Sequence, residues 1–260
     1  MGQPCFKTLD CWFEHFPVED YLREKLTPVE WERAFHKPVR PKVQSLMDLI
    51  EQAKKEKKPR SAGLVLAAGS STRMGSPKQL LNVGGHNLLD HVLKEALNSD
   101  LDLVVLVLGY KAGEIRKGLE ADPENKKLKI VENDEWEKGI SSSIRTGLAE
   151  VQDEYDHCMI ILADMPHLST SAVNHLLREY LSSGSPLGAI KAGHRRSLPV
   201  IFSRVLFNEL NQLEGDIGAR DLFVKHQDNV CLVEQDDYND MDIDTPEDYV
   251  HFIKSLNDTS

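Results

Sequence analysis

Hydrophobic positions along the chain follow two different rhythms, and the change between them falls near Arg60. Upstream, apolar residues recur at helical spacing. Thr27-Pro28-Val29-Glu30 has the form of a capping box with proline at the first helical position, so a short helix is predicted to start there and to turn Trp31 and Phe35 inward. Val43, Leu46, Met47, Leu49, Ile50 and Ala53 form one apolar stripe, which predicts a second helix. That stripe runs into Lys54-Lys55-Glu56-Lys57-Lys58-Pro59-Arg60, whose charge and proline are those of an exposed linker. Residues 1–60 are therefore read as a small helical N-terminal extension with its linker, and residues 61–260 as the main domain.

From Ala62 onward the rhythm becomes short continuous apolar runs alternating with amphipathic stretches. Strands are predicted at Gly63–Ala67, Leu103–Leu108, Leu128–Val131, Cys158–Ala163, Leu187–Lys191 and Leu198–Phe202. Helices are predicted at Leu88–Leu97, Ile140–Val151, Ser171–Leu181, Val205–Leu213, Gly218–Lys225 and Pro246–Leu256. A strand that is apolar throughout has both faces covered, so this alternation implies an α/β domain with a three-layer, mainly parallel sheet. Ligands of such sheets bind beyond the carboxyl ends of the strands, and that is where chemistry is to be sought.

Composition narrows the function classes. With 40% hydrophobic and 28% charged residues the chain is an ordinary globular protein, and it has no apolar run long enough to cross a bilayer. The four cysteines are too scattered for a disulfide framework, and the acidic N-terminus lacks the start of a secretory signal, so a cytoplasmic protein with reduced thiols is expected. A net charge of -11 argues against nucleic acid as a partner. It leaves room for a small phosphorylated ligand held by a local cluster of cations.

Five segments carry candidate chemistry. The turn after the first predicted strand, Leu66-Ala67-Ala68-Gly69-Ser70-Ser71-Thr72-Arg73-Met74-Gly75-Ser76-Pro77-Lys78, combines small residues, which let backbone N–H groups approach a triphosphate, with the cations Arg73 and Lys78. It is neither a Walker A loop nor a G-x-G-x-x-G fingerprint. Asp164, in Ala163-Asp164-Met165-Pro166, stands where a buried strand ends and would offer Mg²⁺ a hard oxygen. Asp242 and Asp244, two apart in an extended segment before Thr245-Pro246, point the same way and supply a second carboxylate. Asn133 to Arg145 carries a glycine and three serines into a helix start, which suits anion or base contacts. The fifth segment is Gly215-Asp216-Ile217-Gly218-Ala219-Arg220. Each taken alone also suits an ordinary turn, cap or solvated acidic loop.

Together and in this order, the five segments resemble the MobA-like nucleotidyltransferase family, and within it the molybdenum cofactor cytidylyltransferases. The resemblance implies a Rossmann-like nucleotidyltransferase fold and a Mg²⁺-dependent transfer of CMP from CTP to a phosphate-bearing acceptor, molybdopterin, with release of pyrophosphate. It implies that Leu66, Ala67, Ala68, Gly69 and Ser142 contact the nucleotide, that Arg73 and Lys78 hold its phosphates, and that Asp164 and Asp244 hold the metal. Arg73, Lys78 and Asp164 would then be the catalytic set. Pro199, Gly215, Asp216, Gly218 and Arg220 are implied for the acceptor, and a molybdoenzyme or maturation factor as a further partner. Ala67-Ala68-Gly69 favours CTP over GTP. Where the cytidylyltransferases carry Arg-Gly-His-Pro-Val, however, this chain has His194-Arg195-Arg196-Ser197-Leu198-Pro199-Val200. A sugar, polyol or choline phosphate acceptor stays open, as does a non-catalytic protein that binds and delivers a nucleotide or cofactor.

Overall fold

The computed structural model describes residues 17–35, 58–216, 219–235 and 238–258, with side chains in the last helix described as far as residue 255. By contacts the chain divides into two units, Met1–Lys58 and Pro59–Ser260. In the first, helix α1 (Val18–Lys25) precedes α2 (Pro28–Phe35). The predicted capping box forms, with the Thr27 backbone N–H and hydroxyl donating to the Glu30 carboxylate and Glu30 N–H donating back to Thr27. Trp31 and Phe35 are half-buried and pack ring to ring at 4.7 Å, with the Arg23 guanidinium over Trp31. The helix predicted around Val43 to Ala53 lies outside the described residues, as do Cys5 and Cys11.

In the second unit, every predicted apolar run becomes a strand. They are β1 (Ser61–Ala67), β4 (Leu103–Leu108), β5 (Leu128–Glu132), β6 (His157–Leu162), β7 (Leu187–Ala192) and β8 (Arg195–Ser203). A seventh, β9 (Val230–Glu234), and the two-residue hairpin strands β2 (Asn82–Val83) and β3 (His86–Asn87) complete the set. The sheet order is β5-β4-β1-β6-β8-β7-β9. Neighbours pair parallel except around β8, which runs antiparallel to both β6 and β7.

Alternation along β1 shows why three layers follow. Val65 and Ala67 pack into a cluster with Leu89, Val92, Leu93, Leu176 and Leu177, brought by α3 (Leu88–Asn98) and α6 (Thr170–Ser183). Leu64 and Leu66 face the opposite cluster, with Ile144 and Leu148 of α5 (Ile140–Ala149), Phe207 and Leu210 of α7 (Phe207–Asn211), and Phe223 of α8 (Arg220–Lys225). Burying each of the valine, leucine, isoleucine and phenylalanine side chains contributes roughly 1.5–3 kcal/mol. A third, smaller cluster joins Val83, Leu88 and Ile243 to Phe252 of α9 (Pro246–Asp258) and fixes the C-terminal segment against the hairpin.

Helix α1, the β2–β3 hairpin, a further helix and a further strand lie beyond the sequence prediction. Helix α4 (Ala112–Gly118) buries only Ala112 and Ile115 and carries two glycines, so its helical signal is faint. Strand β9 is a half-exposed edge strand whose Val-Cys-Leu-Val run is short and leads into acidic residues.

Candidate active site

Strand β1 delivers Ala67 to its carboxyl end, and the chain then turns through residues 68–77 before a 3₁₀ turn at Lys78–Leu80. The turn is held from below by Gln79. Its buried side-chain amide donates to the carbonyls of Ala67 (2.9 Å) and Gly69 (3.1 Å), while the Lys78 N–H donates to the Ser71 hydroxyl. Sequence reasoning passed over Gln79, although a glutamine directly after the motif lysine is the available signal. Gly109, at the end of β4, is also required. A Cβ there would lie 2.7 Å from Cβ of Trp136 and 2.9 Å from the Ala68 carbonyl oxygen, so only glycine lets these chains approach so closely.

Asp164 follows β6, the parallel neighbour of β1, and is 8% exposed. Its backbone carbonyl accepts from Ile243 N–H at 3.1 Å, which docks the C-terminal segment against the end of β6. Ile243 is fully buried, so its flanking residues Asp242 and Asp244 face the cleft, as their spacing predicts. The Lys78 ammonium then sits between two carboxylates, donating to Asp164 and, at 2.9 Å, to Asp244. Arg73 reaches the other Asp244 oxygen at 3.2 Å.

This cluster perturbs its own acid–base chemistry. Burial alone would lower the Lys78 pKa, but the charges and hydrogen bonds of Asp164 and Asp244 outweigh it and hold the amine above its ordinary value. The hydrogen bond from Lys78 keeps Asp244 below the usual carboxylate range. Asp242 is pushed up to about 7, first by burial and then by the charge of Asp164.

The remaining predicted residues fall on two sides of this centre. Leu66, Ala67 and Ala68 are buried beneath the turn, and Gly69 is exposed on it. Ser142 is buried, and its hydroxyl is committed to Asn133 and to the Gly139 carbonyl, so it shapes the start of α5 from within. Asp216 accepts from Ile140 N–H and Gly215 from Ser141 N–H. Both close against Gly139, where an added Cβ would meet Asp216 Oδ1 at 2.5 Å. Asp216 therefore caps α5, a helix far from it in sequence. Together with Arg220 it lines an open cleft of about 1550 Å³ that extends from Arg73 and Asp244 along β8, flanked by Leu198 and Val200 on either side of the buried Pro199. Gly218 lies outside the described residues.

Whether the carboxylates suit a divalent cation is tested by their unused capacity. Asp164 Oδ1 is buried and has no hydrogen-bond partner. An orphaned hard oxygen beside a second carboxylate is the donor chemistry Mg²⁺ or Mn²⁺ takes, with phosphates and water completing the shell. Among the described residues no three acidic, histidine or cysteine side chains form a metal cage of their own.

A mainly parallel sheet of this order, flanked by helices and matched across most of its length by solved structures, defines an α/β enzyme of the nucleotidyltransferase class. Residues 63–230 match the MobA-like NTP transferase domain, and the chain belongs to that family. It is similar to purine catabolism protein PucB of Bacillus subtilis (strain 168), at 34% identity over 200 residues that cover 74% of this chain and 95% of that protein. It is also similar to molybdenum cofactor cytidylyltransferase of Escherichia coli (strain K12), at 27% identity over 189 residues, 72% of this chain and 92% of that one. Among solved structures it resembles Rv0371c of Mycobacterium tuberculosis H37Rv in complex with manganese. The TM-score is 0.64 at 26% identity, covering 75% of this chain and 99% of that one. No helix among the described residues is long and apolar enough to cross a membrane.

Proposed function

We propose that this enzyme transfers CMP from CTP to the phosphate of molybdopterin, releasing pyrophosphate, in the cytoplasm and with Mg²⁺. The observation that carries the reading is the convergence of Lys78 and Arg73, from one strand-end turn, on Asp164, just after β6, and Asp244, in the segment before α9. Its similarity to a molybdenum cofactor cytidylyltransferase, together with Ala67-Ala68-Gly69, supports CTP and this acceptor.

The chemistry asks little covalent help of the protein. An acceptor phosphate oxygen attacks the α-phosphorus in line, a P–O bond forms, and the bond to the β-phosphate breaks with its electron pair leaving on pyrophosphate. Asp164 and Asp244 would hold the Mg²⁺, which when bound neutralises phosphoryl charge. Lys78 and Arg73 would trade carboxylate for phosphoryl oxygens as the triphosphate enters, and stabilise the charge that grows on the leaving group. Gly69 and the backbone of the turn would lie along the nucleotide, while Arg220 and the segment around Pro199, Gly215 and Asp216 would border the acceptor.

The test is pyrophosphate release with each of CTP, GTP, ATP and UTP against molybdenum cofactor, with Mg²⁺ or Mn²⁺. Turnover with CTP and the cofactor is expected to exceed every other pair. Turnover only with a sugar, polyol or choline phosphate would keep the reaction and replace the acceptor. Nucleotide binding without turnover on any acceptor would leave a delivery protein.

A further inference from the structure

The acceptor side of the cleft departs from the family pattern at His194-Arg195-Arg196, and there the structure adds charge. Strand β8 runs antiparallel to β6 with Val200 opposite Ile160, so the residues before Val200 project past the carboxyl end of β6, over the crevice that holds Asp164. Four arginines line the cleft: Arg73, Arg195, Arg196 and Arg220. Two are already paired, Arg73 with Asp244 and Arg195 with Asp240 at 2.7 Å. Among the described residues, neither Arg196 nor Arg220 has a carboxylate partner, although the chain as a whole carries a net charge of -11.

The Arg196 guanidinium is instead held over the ring of Phe223, 5.1 Å from its centroid. Phe223 is 4% exposed and wedged edge-on against Phe202, so it forms a fixed platform. Arg220 lies three residues before Phe223 on α8 and so shares that face of the helix. The result is two guanidinium groups on adjacent elements, open to one cleft, whose N–H edges find no carboxylate among the described residues and have the geometry that grips an oxyanion. An apolar stretch of Ile140, Ile144, Leu162 and Leu198 also lines this cleft.

We propose that Arg196 and Arg220 form an oxyanion subsite for a second anionic group of the acceptor, remote from the phosphate that reacts. This rests on the proposed nucleotidyl transfer and adds to it a substrate class: a phosphorylated acceptor that bears a further anionic group across an uncharged body, be it a phosphate, a carboxylate or the oxygen-bearing molybdenum end of the molybdenum cofactor. Arg196 thus acts in specificity and takes no part in the chemical step.

The experiment compares acceptors matched in size, with and without a remote phosphate or carboxylate, by steady-state pyrophosphate release at saturating CTP. For Arg196→Ala the KM for the doubly anionic acceptor is expected to rise at least about tenfold, the scale of one charge-assisted contact, with the KM for CTP unchanged. The singly anionic acceptor is expected to show no such rise, and Arg196→Lys, which keeps charge but lacks the fork, is expected to fall between. An equal rise for both acceptors, or none for either, overturns the subsite while leaving the transfer reaction standing. Should no acceptor turn over, the reaction itself fails, and calorimetric titration with inorganic phosphate reads the subsite alone. Weaker phosphate binding by a folded Arg196→Ala/Arg220→Ala variant supports it, with Lys78→Met reporting the turn separately. An isotherm identical to that of the unaltered protein overturns it.

Discussion

The Lys78 ammonium lies 2.9 Å from the Asp244 carboxylate and donates at the same time to Asp164, so one cation joins side chains from opposite ends of the domain. Two carboxylates held around a single positive charge are an arrangement that a divalent ion and a protein ammonium would contest.

Removing the ammonium should free the pair for metal. In the absence of nucleotide, Lys78→Met is expected to bind Mn²⁺ about tenfold or more tightly than the unaltered protein, because an opposite charge at this range is worth about one to three decades in a charge equilibrium. Electron paramagnetic resonance of free Mn²⁺ measures this directly. Unchanged affinity would mean that the two carboxylates do not share an ion.

Asp164→Ala should lower kcat at least about 10²-fold, the scale of losing one strong electrostatic stabiliser, while the folded protein survives. Pyrophosphate release beside a thermal melt separates the two effects. Near-normal turnover in a folded variant would remove Asp164 from the catalytic set.

Gly109→Ala tests the packing under the turn. The new methyl would stand 2.7 Å from Trp136 Cβ and 2.8 Å from Ala68 Cβ, and relief requires backbone movement. A loss of about 1–3 kcal/mol is expected from urea denaturation, together with a raised KM for CTP. A silent substitution would show that the turn is loosely held.

Acid should destabilise the domain through His157, which opens β6 and contacts the Tyr180 hydroxyl at 3.0 Å. Burial lowers its pKa, against the opposing charge of Asp156, so the folded state prefers the neutral ring. Above about pH 6.5 both states are neutral and the group is silent. As pH falls below that value the unfolded chain takes up the proton first, and stability is lost until the folded pKa is reached. Urea midpoints at pH 7.5 and pH 5.5 should therefore diverge more for the unaltered protein than for His157→Gln. Equal divergence would assign the acid sensitivity elsewhere.

Asp216→Ala should cost about 1 kcal/mol through loss of the cap on α5. Chemical denaturation checks it. A variant of full stability would show that the Ile140 N–H finds another acceptor.

Much of the architecture was legible in the chain because buried parallel strands must be apolar on both faces. Gly63–Ala67, Leu103–Leu108 and Cys158–Ala163 announce the centre of the sheet in this way. The edge strand Val230–Glu234 and the helix Ala112–Gly118 did not, since each buries too little to leave a period. Local patterning likewise identified Lys78, Asp164 and Asp244 as chemically promising, and the alternation around Ile243 foretold that Asp242 and Asp244 share a direction. What no local pattern could express was distance across the fold. That Lys78 lies between two carboxylates, that Asp216 caps a helix far upstream, and that Arg196 lies over Phe223 all follow from strand order and from which elements pack as neighbours. Contacts between residues remote in sequence depend on which elements pack as neighbours, and packing is settled by the whole buried core at once.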